Sequence, residues 1–320
     1  MIELIKNAKI NFVGKRYYAF IFSGVLTLIG IVAIIFTFIG KANLGVDFAG
    51  GSLVQVKFQK SVTADVLRKA LTSNNLADSE IQQMAEANRV LIRTRKQEVV
   101  GERIDERIRK ILVKEFEGNR FVMERIEEVG PKIGGELREK ALWAIFWAII
   151  AMMIYIAFRF DFRFGIAAAI ATLHDVIAVY GIVWLANREI TLLTISALLT
   201  LAGYSLTDTV IVFDRIRENL KLRRKELYDV VINSSINEVL SRTIITSLTV
   251  VIVLLALIIR GSQVTFDFCL VLLIGVIVGT YSSIFVASPI LIEWHLMVTK
   301  KVKSTTPEIT NKNKLKAEGK

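Results

Sequence analysis

Residues 17–39 read YYAFIFSGVLTLIGIVAIIFTFI, an apolar run with no charged residue in it. A helix rises 1.5 Å per residue and needs about 20 apolar residues to cross roughly 30 Å of hydrocarbon, so this run is long enough to span a bilayer. It is too long for the apolar region of a signal peptide and lacks a small-residue cleavage site, so it is expected to stay attached. Five more apolar runs follow, at 141–158, 164–186, 190–213, 243–259 and 268–292. Between the first and the second lies a polar stretch, 40–140. The expectation is therefore an α-helical polytopic membrane protein with six spans, carrying one folded domain between spans 1 and 2.

Composition agrees. Apolar residues make up 53% of the 320, and the mean hydropathy is +0.51, well above that of a soluble domain. The single cysteine, Cys269, cannot form an internal disulfide, and two histidines with one cysteine offer no zinc-ligand cluster. The net charge of +11 raises nucleic acid as a partner. The positions of the charges answer it. Twenty of the 41 basic residues lie in 1–16, 159–163, 214–242 and 300–320, beside spans and on one side of the membrane under a six-span topology. The short connections on the other side hold only Arg188 and Arg260. That is the positive-inside pattern, with both termini in the cytoplasm, the 40–140 domain outside it and 214–242 a cytoplasmic loop. No nucleic-acid binding is needed to explain the charge. The tail, 298–320, is basic and poor in apolar residues and is expected to be disordered.

Within 40–140 the periodicity changes. Residues 52–58 alternate apolar and polar as a strand with one buried face would. Residues 63–74 have helical spacing with Thr63 as a cap; 81–85 and 90–94 read as strands joined by a turn at 86–89. Residues 98–117 form a charged amphipathic helix with Ile104, Ile108, Ile111 and Leu112 on its apolar side, and 121–129 a last strand. The order β-α-β-β-α-β is that of a ferredoxin-like split βαβ unit, an α+β domain.

Two glycine clusters flank this domain. Residues 45–51, GVDFAGG, precede a strand and lack the Lys-Ser/Thr and following helix of a phosphate loop, so a tight junction is expected; the same holds for 130–135, GPKIGG. No other nucleotide-hydrolysis motif is present, so an enzyme is not expected. Gly275, Gly279, Ser283 and Ala287 recur at spacing four, which lets helices approach closely.

The informative residues are charges inside spans, where an Asp costs about 2.5–3.5 kcal/mol on insertion scales. Asp175, next to His174, lies roughly 15 Å into the third span, and Asp208 roughly 7–8 Å from the cytoplasmic end of the fourth. Arg242 opens the fifth span from that same side, so it can share a depth with Asp208 if the helices adjoin. One reading is a structural ion pair that lets two helices insert together. The other is a proton carrier with an electrostatic regulator, since a dry setting favours a protonated carboxyl and a guanidinium nearby an ionised one. His174 and Asp175 form either a hydrogen-bonded structural pair or part of a proton path. Ser205, Thr207 and Thr209 add polar groups expected to hold water near Asp208.

At these residues the chain resembles the SecF side of the SecD/SecF family of protein-export membrane proteins. The matching stretches are 45–51, 129–131 (VGP), 174–176 (HDV), 203–209 (GYSLTDT), 213–219 (FDRIREN) and 240–247 (LSRTIITS), in family order and reaching to about residue 297. Two positions depart from the family pattern: Thr207 where Asn is usual before the intramembrane Asp, and Ala49 where Thr is frequent. The resemblance implies a partner, SecD, the two chains each giving six spans to a bundle like that of resistance-nodulation-division transporters. It further implies contact with the SecYEG channel and with an exported unfolded polypeptide, a place among the lipids of the bacterial inner membrane, and no cofactor beyond protons as the coupling ion. Carried over by motif, Asp208 is the carboxyl that takes the proton and Arg242 its partner. The rival expectations are a small-molecule/proton antiporter of the same bundle type and a non-energetic scaffold of the translocon.

Overall fold

A computed structural model describes residues 9–77, 79–84, 88–94, 103–261 and 263–305. Helix α1, Arg16–Phe38, is followed by a four-residue helix α2, Val46–Ala49. Strand β1, Gly51–Phe58, opens the polar domain, which continues as α3 (Ala64–Ser73), β2 (Glu80–Gln83), β3 (Arg89–Thr94), α4 (Ile104–Glu115) and β4 (Phe121–Val129). The remaining helices are α5 (Pro131–Arg159), α6 (Phe162–Leu185), α7 (Leu192–Leu222), α8 (Tyr228–Arg260), α9 (Gln263–Ser282) and α10 (Ser288–Thr305), with a π-helical turn at Ser283–Ala287 between the last two. Among the described residues six helical segments are long and apolar enough to cross a membrane, α9, the π turn and α10 making one of them.

The described residues fall into two compact units. One holds Phe36–Ile145 together with Ala186–Ile195, and the other holds α1 to Ile35, Phe146–Leu185 and the chain from Ser196 onward. In the first, the four strands pair antiparallel in the order β2-β3-β1-β4, which is the split βαβ arrangement. One face of the sheet packs Val54, Val56, Phe58, Val90 and Ile92 against Leu67 and Leu71 of α3 and Ile104, Ile108 and Leu112 of α4. The alternation of β1 predicts one covered face; instead every residue of the strand except Lys57 is buried. Its central place explains this, because neighbours on both sides cover its polar positions, and Gln55 Nε2 donates to Glu124 Oε2 at 2.8 Å.

In the second unit α6 is the most enclosed span and α5 the least. Helix α1 crosses α6 where glycine faces glycine: a Cβ on Gly181 would lie 2.7 Å from the Gly30 backbone. The Gly275–Gly279 stripe packs on α7, where added Cβ atoms would lie 2.7 Å from Leu201 and 3.0 Å from Ser205. Close backbone approach of this kind is what small residues at helix interfaces permit.

The structure adds detail to three expectations. Residues 214–242 are mostly helix, because α7 runs on to Leu222 and α8 begins at Tyr228. Glu238 holds the hairpin together by accepting from Arg215 Nε at 2.5 Å, Arg223 Nη2 at 2.8 Å and Asn219 Nδ2 at 2.9 Å. The tail is helical through Thr305, the last described residue, rather than disordered from 298. Of the amphipathic helix expected at 98–117, the structure describes Ile104–Glu115, while 98–102 and residues 86 and 87 of the expected turn lie outside the described residues.

Candidate functional site

Helix α7 places Ser205 and Asp208 one turn apart, and residues at i and i+3 share a helix face. Both are buried, Asp208 at 3% exposure. Facing them are His174 and Asp175 of α6, Ser247 of α8 and Thr280 of α9, and they divide into two hydrogen-bonded groups.

The first group is centred on Asp175, whose exposure is 0%. Its Oδ1 lies 2.8 Å from His174 Nδ1, and its Oδ2 accepts from Ser205 Oγ at 2.5 Å. Both carboxylate oxygens are therefore engaged. His174 Nε2 is buried and has no partner among the described residues.

The second group is centred on Asp208. Its Oδ2 receives Ser247 Oγ at only 3.4 Å, while Ser247 Oγ stands 2.6 Å from Thr280 Oγ1. Thr280 in turn reaches Val276 O at 2.8 Å, and Tyr204 OH points to Ser247 Oγ at 3.5 Å. A hydroxyl has one proton to give. If Ser247 gives its proton to Thr280, Asp208 loses its donor; if Ser247 gives it to Asp208, Thr280 must turn from Val276 to satisfy Ser247. The short 2.6 Å contact and the long 3.4 Å one describe the first case, in which Ser247 is drawn away from Asp208 toward Thr280.

Arg242 does not join this group. It is exposed on the chain surface, and its guanidinium makes no ion pair among the described residues. The reason is helical phase. The buried positions of α8 here are Thr243 and Ser247, one turn apart. Arg242 lies five residues before Ser247, about 140° round the helix and about 7.5 Å along it. Ser205, one turn from Asp208 on α7, donates its hydroxyl to Asp175. Thr207 faces outward with its hydroxyl on Gly203 O at 3.0 Å, and Thr209 is buried. Sequence reasoning missed Ser247, Thr280 and Tyr204. Ser247 and Tyr204 lie within the quoted stretches, and Thr280 follows Gly279 in the small-residue stripe. The π-helical turn begins three residues after Thr280, and π turns are frequent at functional sites.

A family model for "Protein export membrane protein SecD/SecF, C-terminal" matches residues 99–297, and one for the "SecD/SecF GG Motif" matches residues 35–62. The protein translocase subunit SecF of Thermodesulfovibrio yellowstonii is 47% identical over 91% of this chain and 97% of its own length. That of Calditerrivibrio nitroreducens is 43% identical over 90% of this chain and 95% of its own. Among solved structures, the crystal structure of SecDF from Thermus thermophilus, a translocon-associated membrane protein, superposes with a TM-score of 0.80 at 34% identity. The match covers 91% of this chain and 39% of that longer one.

Proposed function

The chain belongs to the SecD/SecF family of protein-export membrane proteins, and from that premise we propose that it is the SecF-side subunit of a proton-driven accessory to the Sec translocase. It pairs with SecD to complete a bundle of the resistance-nodulation-division type, and the pair promotes passage of unfolded polypeptides through SecYEG. On this reading the membrane is the bacterial inner membrane, with the basic segments on its cytoplasmic side. The energy source is the proton gradient, and the chain hydrolyses no nucleotide.

The observation that carries the reading is Asp208: a carboxyl buried inside a transmembrane bundle, facing the hydroxyls of Ser247 and Thr280 and, among the described residues, no cation. A side chain so placed is costly and marks an ion or proton path by default. The proton enters and leaves at Asp208 Oδ2; when it leaves, Ser247 turns its hydroxyl proton to the carboxylate and Thr280 turns its own from Val276 O to Ser247. Arg242 enters the cycle in a second arrangement of α7 against α8, since here the two side chains are unpaired. One charge moved across 100 mV supplies about 2.3 kcal/mol, enough to bias a two-state movement severalfold or more.

Asp208→Asn in the assembled complex tests this. Gradient-dependent export should fall to the level seen with the gradient collapsed, while insertion and SecD binding persist. Export at the wild-type level by that variant removes the proton role.

A further inference from the structure

Residues 43–51 take no part in the proton site, yet they are held on several sides. Gly45 N–H donates to Ile190 O at 2.9 Å and Ile190 N–H to Asn43 O at 2.9 Å, so Leu44 and Ile190 form one rung of parallel sheet. The Asp47 carboxylate accepts Leu192 N–H at 2.9 Å. Leu192 is the first residue of α7, where the helix leaves its amides unpaired and its dipole favours negative charge. Asn43 donates to Asn187 O at 3.3 Å and accepts from Arg93 Nη1 at 3.1 Å. Arg93, projecting from β3 of the domain sheet, also pairs with Glu189.

The fit leaves no room for side chains. A Cβ on Gly45 would lie 2.6 Å from Thr191 Cγ2, and one on Gly134, near the start of α5, 3.0 Å from Phe48 O. Gly50 and Gly51 have φ of 71° and 116°, values that favour glycine.

Residues 186–191 connect α6, which carries His174 and Asp175, to α7, which carries Ser205 and Asp208. A connector tied only by its own chain would absorb a shift of α7 in its loose backbone. This one is bound by a strand rung, a carboxylate cap and an ion pair, all supplied by 43–47 and by Arg93.

We propose that residues 43–47 and Arg93 clamp the α6–α7 connector, so that a displacement of α7 at the proton site is passed to the domain. Asp47 and Arg93 are positioning residues: neither touches the proton, and both make the domain follow α7. The clamp rests on the proton-driven reading and names where its work is delivered.

Charge exchange separates this role from a merely structural one. Arg93→Glu, Glu189→Arg and the double exchange are compared in the assembled complex for proton flux and for gradient-dependent export. Each single variant should keep its flux and lose export by at least about threefold, as expected for residues that carry coupling. The double exchange should recover most of the loss. The milder Glu189→Gln, which keeps the side-chain shape, should show the same split to a smaller degree. Wild-type export in Glu189→Gln, or a double exchange no better than the singles, overturns the clamp. So does a fall in flux that parallels the fall in export. Failure of the underlying reading looks different: Asp208→Asn then exports normally, whatever the clamp variants do.

Discussion

Glu124, on strand β4, shows how a single side chain ties the domain to pH. Arg89 Nη2 donates to its Oε1 at 3.0 Å, Arg89 Nε lies 2.9 Å from its Oε2, and Gln55 reaches Oε2 at 2.8 Å. Burial works against the charge, but Arg89, Gln55 and the field of Lys57 together outweigh it and hold the carboxyl below its ordinary value of 4.5. A folded-state value lower than the unfolded one adds stability above the unfolded value, and that stability is lost as pH falls through the folded one. Wild type should therefore unfold at a higher temperature than Glu124→Gln at neutral pH. The gap should close as pH drops below 4.5, read by thermal unfolding of the intact protein. A gap that persists at acid pH would show that shape rather than charge is what Glu124 supplies. Within the bundle, sequence reading singled out Asp208, Asp175 and His174, because charge in an apolar run is conspicuous. It did not resolve who touches whom. Ser205 and Thr209 share one buried face of α7 while Thr207 points away from it, and only helical phase against α6 and α8 tells that Ser205 meets Asp175 and that Ser247, not Arg242, meets Asp208.

At the scale of elements, the crossing of α1 over α6 is set by one glycine on each helix. With 2.7 Å between a Cβ on Gly181 and the Gly30 backbone, a larger residue must push the helices apart. Overpacking of this kind costs about 1–3 kcal/mol or more. Gly181→Leu should lower the thermal stability of the solubilised protein, whereas Gly24→Leu, on the same α1 but with nothing within 4 Å of its Cβ, should leave it unchanged. Equal loss in both would assign the effect to general disturbance of helices and not to the crossing. The stripe at Gly275 and Gly279 was visible in the sequence because its members repeat every four residues on one helix. Gly30 and Gly181 form a contact between helices and leave no repeat. The helical character of the 214–242 connection is silent in the sequence for a related reason. Hydropathy reports membrane, not helix, and a charged segment whose arginines converge on Glu238 stays helical outside the apolar zone.

For the molecule as a whole, the two units differ in how well their plan could be read. The βαββαβ order and the spacing of Ile104, Ile108, Ile111 and Leu112 specify a sheet with helices on one face, because water makes the distinction between inside and outside. Lipid makes no such distinction, since its tails are as apolar as leucine. The sequence therefore counts six spans but does not rank them, although α6 is largely enclosed and α5 largely open. The same difference in solvent implies that the domain is held by its own apolar core, separately from the bundle. Ile108 is fully buried in that core against strands and helices of the domain alone. Ile108→Ala leaves a cavity and should cost about 2–5 kcal/mol. In hydrogen exchange on the intact protein, amides of β1, β3 and β4 should lose protection by the corresponding factor while those of α6 and α9 keep theirs. Equal loss in the spans would mean that the two units unfold as one, and the domain would then be no independent body for α7 to move.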